Sequence, residues 1–370
     1  MKIVDVQAIP LAIPLQKETP SSPWSAGAAK QIVVKVVSDE GVVGLGEAFA
    51  LGTPLAVCNV IEEGLKPYLL GADPTQIEAL LEKMYRGTFI YGRRGLAVFA
   101  ISGVEIALWD LVGKLHGLPV SALLGGSVKT RLRAYASLLR YERPEEVVEM
   151  AQKYVEQGFT ALKLHQTDVA SVQAVRKAVG DEIDLMVDIN CAWDPQEAIR
   201  KAREFAEYNL YWLEEPVWPP EDYRGLAAVA AAVDVPIATG ENESTHYGFR
   251  EIITQQGADV LQPSLTKVGG LLETKKICHL AASWNIPVAP HSFYYGAGLA
   301  ATLHLVASTP GCLLVEFPAT ALETPLLAEP LRPQKGCFEL SSQPGLGIEL
   351  NEAVIEHYPY RQDLKPFHIA

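Results

Sequence analysis

The 370-residue chain predicts an α/β protein: a (β/α) barrel preceded by an α+β unit. Three observations carry that prediction. A β-rich opening gives way to a helical stretch that ends at Gly125-Gly126. Short apolar runs then alternate with amphipathic helices. The polar residues closing those runs recur at a near-constant interval. The length fits, since roughly 100–200 residues per domain leaves room for two domains or one large barrel with an addition.

In the first fifty residues, 3–14 alternate in polarity, and 31–38 and 42–48 flank the turn Asp39-Glu40-Gly41. Across 54–124, Ala, Leu and Glu recur at three- and four-residue spacing, which is the helical period. Beyond Arg131, short apolar runs fall at 161–164, 185–189, 212–214, 237–239, 260–262, 288–289 and 313–315, with helices such as 195–207 and 271–283 between them. The residues closing the runs are Lys163, Asp188, Glu214, Glu241, Ser264, His291 and Glu316, separated by 25, 26, 27, 23, 27 and 25 positions. Such an interval holds one strand, one helix and two short loops. A further run at 133–138 brings the count to eight strands, as a barrel requires. The tail breaks the rhythm, and its expected strands at 337–340 and 347–350 should return to the first unit. The expected domains are 1–127 for an α+β cap, 128–331 for the barrel and 332–370 for the returning segment.

A formal net charge of −13 argues against nucleic acid and against a polybasic membrane anchor. The most apolar long run, 96–109, is interrupted by Glu105 and is too short for a transmembrane span, while Asp5, Pro10 and Pro14 break up any signal-peptide core. Cys58, Cys191, Cys278, Cys312 and Cys337 are scattered and never form a CxxC pair, so neither a disulfide framework nor a zinc cluster is expected. A cytoplasmic location is expected. HExxH, G-x-S-x-G and GxxxxGK[ST] are absent, as is a G-x-G-x-x-G opening a helix.

Polar residues at the carboxyl ends of barrel strands converge on one site. Three consecutive strands would deliver Asp188, Glu214 and Glu241 there, and three carboxylates cannot share a small volume as anions without a cation. All-oxygen ligation favours a hard divalent ion, magnesium first and manganese next. Lys163 and His165 precede this cluster, with i, i+2 spacing that puts both on one strand face. His291 should face them across the barrel mouth, and Glu316 comes from the last strand. A divalent ion, flanking bases and a further acid suit abstraction of the proton next to a carboxylate, where an enediolate must be stabilised.

The motifs Val187-Asp188-Ile189-Asn190, Trp212-Leu213-Glu214-Glu215-Pro216, Thr239-Gly240-Glu241-Asn242, Lys267-Val268-Gly269-Gly270, Pro290-His291 and Val315-Glu316 resemble those of the enolase superfamily, and of its mandelate racemase subgroup in particular. Ile106-Ala107-Leu108-Trp109-Asp110, Leu124-Gly125-Gly126 and Pro344-Gly345-Leu346-Gly347 extend the likeness over nearly the whole chain. The resemblance implies a modified (β/α)7β barrel, an α+β capping domain completed by the C-terminal tail, and a homo-oligomer. It implies that Asp188, Glu214 and Glu241 ligate magnesium, that Asn190 lies beside the substrate, and that Lys163 contacts the substrate carboxylate. His291 becomes the catalytic histidine of the seventh strand, and Glu316 donates a hydrogen bond or proton to the carboxylate. Lys267 matches a lysine widespread in the superfamily, with a structural ion pair an equally good reading.

Two positions depart from the pattern. His165 stands where the subgroup's Lys-x-Lys motif has its second lysine; with an unperturbed pKa near 6.5 against about 10.4, an imidazole acts as a base without desolvation. Ser264 stands where the sixth strand usually supplies an aspartate to orient the histidine. The favoured reading is an acid-sugar or hydroxy-acid dehydratase, with His165 or Lys163 taking the α-proton and His291 protonating the departing hydroxyl. The runner-up is a racemase, epimerase or lactone cycloisomerase. A catalytically silent metal-binding barrel is the reading of a different class. Substrate choice is expected from the loops at 16–29, with Trp24, and 49–53, and from Tyr294 and Tyr295. The expected partner is a small-molecule carboxylate.

Overall fold

The computed structural model describes residues 1–16 and 28–361, so the expectation for Trp24 lies outside the described residues. Strands β1 (Ile3–Pro14), β2 (Ala28–Ser38) and β3 (Val43–Ala48) form an antiparallel sheet in that order, with Ile3 opposite Ser38 and Ile32 opposite Ala48. The expected turn closes β2 onto β3, where Gly41 supplies the positive φ of 78°. The helix Leu96–His116 crosses this sheet at close range. A Cβ on Gly46 would lie 2.0 Å from the Gly103 carbonyl oxygen, so glycine alone permits the approach. This helix runs seven residues past the apolar run read from sequence and, at 21 residues, has the length and apolarity to cross a bilayer. It is instead the core of the first unit: Glu105 is buried on it, bonded to protein donors, and most of its length packs inside the fold.

The barrel strands are β4 (Arg131–Ser137), β5 (Ala161–Leu164), β6 (Asp184–Asp188), β7 (Leu210–Glu214), β8 (Ile237–Thr239), β9 (Val260–Leu261) and β10 (Val315–Pro318). Neighbours pair in parallel in chain order, and β10 pairs with β4 to close the ring. The strand expected at 288–289 is reduced to Val288, bridged to Leu261 on one side and Cys312 on the other. Pro287 and Pro290 flank it, and neither has an N–H to extend a ladder. The last strand begins at Val315, two residues later than the run read from sequence.

Period-two alternation then builds the site. One residue from each of the eight positions around the ring fills the interior: Tyr135, Ala161, Met186, Trp212, Ala238, Val260, Ala289 and Leu314. Two residues further on, the same inward face carries Lys163, Asp188, Glu214, His291 and Glu316. A packed apolar plug therefore lies directly beneath a layer of charge.

The tail does not go straight back to the first unit. Strand β11 (Cys337–Glu339) pairs antiparallel with β4, using Arg131–Arg133, which extend beyond the β5 and β10 pairings and leave an edge open. The chain touches the first unit before β11, where the Glu323 N–H donates to the Pro14 carbonyl (2.7 Å), and returns to it after β11. The Val120 N–H donates to the Gly345 carbonyl (2.9 Å), the Leu346 N–H to Asp110 Oδ1 (2.7 Å), and the Tyr360 N–H to the Pro10 carbonyl (3.0 Å). The strand expected at 347–350 is a single bridge from Leu350 to Leu327.

Two carboxylates of the first unit grip barrel helices by their free N-terminal amides. Glu105 accepts from the Leu271 and Leu272 N–H groups at 2.7 and 2.8 Å, at the start of the helix Leu271–Ser283. Glu47, on β3, accepts from the Gly298 N–H at 2.8 Å, at the start of the helix Ala297–Ala307. Burial raises both carboxyls to about 7, against these amide bonds.

His304 ties the same region together. Its Nδ1 accepts from the Ser121 N–H at 3.1 Å, and its Nε2–H faces the Leu346 carbonyl at 3.2 Å. Burial lowers it to about 4 from an ordinary 6.5. The unfolded chain takes up this proton as pH falls below 6.5 while the folded chain does not, so its stabilisation, present above 6.5, is lost on acidification towards 4. The loss should reach about 3 kcal/mol. Urea unfolding of wild type and His304→Gln at steps between pH 7 and 4 checks this: the variant should lack that share of the slope.

Candidate active site at the barrel mouth

The layer above the plug centres on Lys163. Its Nζ lies 2.7 Å from Glu214 Oε1, 3.0 Å from Glu316 Oε1 and 3.3 Å from Asp188 Oδ2, with the side chain 1% exposed. Burial disfavours its charge, but Glu214, Glu316 and Asp188 outweigh that and hold it well above the ordinary lysine value. The floor is aromatic: Trp212 and Tyr135 meet edge to face at 5.8 Å, and the Trp212 Nε1–H donates to Glu214 Oε2 at 2.9 Å.

Asp188, Glu214 and Glu241 come together as their spacing implied. One carboxylate oxygen from each lies within 4.8 Å of the others, and all three are buried. They do not share the volume comfortably. Burial, and then the charges of Asp188, Glu316 and Glu241, push Glu214 well above the usual carboxylate range despite Lys163. A divalent cation would relieve that repulsion, and an all-oxygen donor set suits a hard one. Asn190 Oδ1, beside this cluster, is buried without a hydrogen-bond partner among the described residues. The residues present fit a metal.

The two histidines stand on opposite flanks. His165 Nε2 is 3.3 Å from Asp188 Oδ2, while its Nδ1 meets the Leu138 carbonyl. His291 Nε2 is 3.3 Å from Glu241 Oε2 and 3.8 Å from Glu316 Oε2, and its Nδ1 is 3.1 Å from Ser264 Oγ. Burial lowers His291 below its ordinary value, with Glu241 and Glu316 opposing. Glu316 accepts the Ser292 N–H at 2.7 Å; burial opposes its ionisation, but Lys163 and His291 bring it to about 2. Glu316 thus accepts from the backbone of the seventh-strand segment that carries His291.

Lys267 lies 3.1 Å from Glu241 Oε1 and 3.3 Å from Asn242 Oδ1, with its Nζ 4.5 Å from the Phe49 ring centroid. The structure thus shows it holding a member of the acid cluster. Tyr294 is buried, and its hydroxyl meets Ser264. Lys163, His165, Asp188, Asn190, Glu241, Lys267, His291, Tyr294 and Glu316 all line one cavity of about 500 Å³, whose far wall comes from the first unit through Gln31, Glu47 and Phe49. Glu214 lies beneath it, fully buried.

Sequence reasoning passed over Glu215. It accepts from Cys191 Sγ (2.9 Å), Thr239 Oγ1 (3.2 Å), the Gly240 N–H (3.2 Å) and Asn242 Nδ2 (2.7 Å), lacing the second and third acid loops together. The doubled acid of Glu214-Glu215 was the available signal. Glu47 was also missed, since nothing in a strand sequence marks a residue that caps a distant helix.

A closed barrel with three acids at consecutive strand ends and acid–base groups on both flanks defines a class of metal-dependent enzyme that works on carbon acids. The chain belongs to the enolase superfamily, in its mandelate racemase/muconate lactonizing enzyme group. Residues 6–125 match the Mandelate racemase / muconate lactonizing enzyme, N-terminal domain, and 146–354 match the Enolase C-terminal domain-like family. The chain is 32% identical over 338 residues to an arabinonate dehydratase of Saccharolobus solfataricus, covering 88% of this chain and 90% of that one. The 3,6-anhydro-D-galactonate cycloisomerase structure from Zobellia galactanivorans matches with TM-score 0.89 and 33% identity, over 98% of this chain and 100% of that one. A racemase from Streptomyces coelicolor A3(2) with bound magnesium matches with TM-score 0.88 and 30% identity, over 97% and 100%.

The acid cluster predicts its own test. Magnesium at a hundredfold excess over its dissociation constant should stabilise the fold by about 2.7 kcal/mol, read as a rise in thermal midpoint. Asp188→Asn should lose most of that rise, and a chelator should reverse it in the wild type.

Proposed function

We propose that this enzyme is a magnesium-dependent acid-sugar dehydratase of the cytoplasm, acting as a homo-oligomer, with Asp188, Glu214 and Glu241 as the metal ligands. The cap, barrel and returning tail are read as the three segments 1–127, 128–331 and 332–370. One observation carries the reaction: the two histidines flank the acid cluster from opposite sides and are anchored differently. A carbonyl only accepts, so the Leu138 contact places a proton on His165 Nδ1 and turns Nε2 to the acid cluster, 3.3 Å from Asp188 Oδ2. Lys163, held as an ammonium, cannot take a proton; its charge suits binding of a substrate carboxylate. The α-proton therefore goes to His165.

A divalent ion bound by the three acids would supply Lewis-acid stabilisation of the charge that builds on the substrate carboxylate. His291, on the far flank, would deliver a proton to the β-hydroxyl as it leaves with its bonding pair. Burial makes His291 a weak holder of protons in the free protein, but negative charge accumulating on the substrate raises its affinity when the proton is needed. Asn190, Lys267 and Trp24 are assigned to substrate binding. Support for the dehydratase class comes from the arabinonate dehydratase relative, and for the metal from the magnesium-bound racemase structure.

The same lowered His291 favours a second reading. A histidine neutral at rest is a ready base, and a lactone cycloisomerase or racemase would use it so. The Zobellia cycloisomerase points the same way.

Proton NMR in D₂O with magnesium and a panel of sugar acids and lactones separates these outcomes. The dehydratase reading expects a 2-keto-3-deoxy acid from one member. Rearranged lactone, or deuterium entering with inversion, would replace it with the isomerase reading. His165→Gln and His291→Asn should each lower kcat by about 10²–10⁴-fold. His291→Asn should retain exchange of the α-proton if His165 alone removes it.

A further inference from the structure

We infer that Tyr294 and Ser264 form a hydroxyl relay that positions His291, so that Tyr294 is a positioning residue for that histidine and not a substrate contact. Ser264 Oγ stands between His291 Nδ1, at 3.1 Å, and the Tyr294 hydroxyl, to which it is hydrogen-bonded. The Tyr294 hydroxyl is itself 3.4 Å from His291 Nδ1. The rings meet edge to face, with centroids 5.7 Å apart and planes at 83°. Ser264, Tyr294 and His291 are 0%, 4% and 7% exposed, so the three polar atoms have little water to turn to.

A serine hydroxyl alone rotates freely and would hold an imidazole loosely. The phenol restricts it. Burial keeps that phenol protonated, so the relay is neutral throughout and carries a hydrogen-bond direction without a counter-charge. Either direction is open. With Tyr294 donating to Ser264 and Ser264 to Nδ1, neutral His291 carries its proton on Nε2, facing the acid cluster. With the order reversed, Nδ1 carries it and Nε2 is bare. An anionic partner would permit only the second arrangement. In either direction Nδ1 stays bonded, so the relay holds the orientation of the His291 ring. The backbone carrying Tyr294 is fixed from the first unit, because Glu47 accepts the Gly298 N–H four residues on.

The nitrogen resonances of His291 test this without any substrate, so the result is independent of the proposed reaction. The full chain is labelled with [¹⁵N]histidine, loaded with magnesium, and His291 is assigned by its loss in His291→Asn. Tyr294→Phe keeps the ring and its packing while deleting the hydroxyl. It should move the His291 Nδ1 resonance and leave those of His165 in place. Ser264→Ala should move it too, and the double variant no further than Ser264→Ala alone. An unmoved His291 in Tyr294→Phe, at unchanged thermal midpoint, would overturn the relay. So would shifts that simply add in the double variant. Once a substrate is known, Tyr294→Phe should lower kcat by roughly 10–100-fold at constant KM, with no further loss in a His291→Asn background. A KM effect persisting in that background would make Tyr294 a substrate contact and sink the inference.

Discussion

The constraint on which the structure turns is a buried excess of negative charge. Asp188, Glu214, Glu215, Glu241 and Glu316 are all buried at the barrel mouth, against the ammonium groups of Lys163 and Lys267. Each carboxylate gives up hydration that only a close cation or amide can replace. Lys163 answers three of them, Lys267 one, and the Ser292 N–H supports Glu316. What stays unanswered is the mutual repulsion around Glu214, which is why the protein fits a divalent ion where it does. The same charge makes Lys163 a fixed cation. A lysine that could trade protons would need a less acidic neighbourhood, so in the proposed reaction the acid–base work would fall to the two imidazoles.

Such a layer needs a rigid support, and the fold provides it from two directions. Below, Trp212, Tyr135 and the small residues beside them plug the barrel and prevent the strand ends from closing inward. From the side, the first unit holds the helices that follow the catalytic loops. Glu105 caps the helix after the short helical turn Leu265–Val268 that carries Lys267, and Glu47 caps the helix after the segment of His291 and Tyr294. The cap is therefore more than a lid over the cavity. Its carboxylates fix the start of the two helices whose preceding loops carry site residues, and Glu47 lines the cavity as well.

Much of this was legible in the chain because a barrel repeats. An interval near 25 residues located the strand ends, and for Lys163, Asp188, Glu214, His291 and Glu316 an inward face of period two pointed the polar residue at the axis. That is why Asp188, Glu214, Glu241, Lys163, His165, His291 and Glu316 could be gathered without coordinates. The method weakened where the strand was too short to show a period, as at Val288 between its prolines. It placed β11 with the wrong neighbour, since an open edge on β4 has no signature in the tail itself. Glu47, Glu105 and Glu215 escaped because their partners are backbone amides or loop side chains far off in sequence. Glu316 was found, but its contacts with Lys163 and the Ser292 N–H, which reach the same carboxylate from different elements, were not.

The replacement of an orienting aspartate by Ser264 bears on the reaction through asymmetry. An enzyme that interconverts mirror-related configurations needs two flanks of comparable basicity. Here one histidine is anchored by a carbonyl, which fixes its neutral tautomer, and the other by a neutral hydroxyl, which does not. In the proposed reaction the first would take a proton at the cluster. The second is prepared to hold one there or to be without it, and lacks an anion on Nδ1 to keep it charged after it has accepted one. Any positive charge on His291 must instead be supported from its Nε2 side, by Glu241 and Glu316, the side on which the substrate sits. Proton release from His291 is thereby favoured over proton retention once those carboxylates are occupied by other partners. Chemistry in which one flank removes a proton and the other gives one up, as in the loss of water, uses that difference.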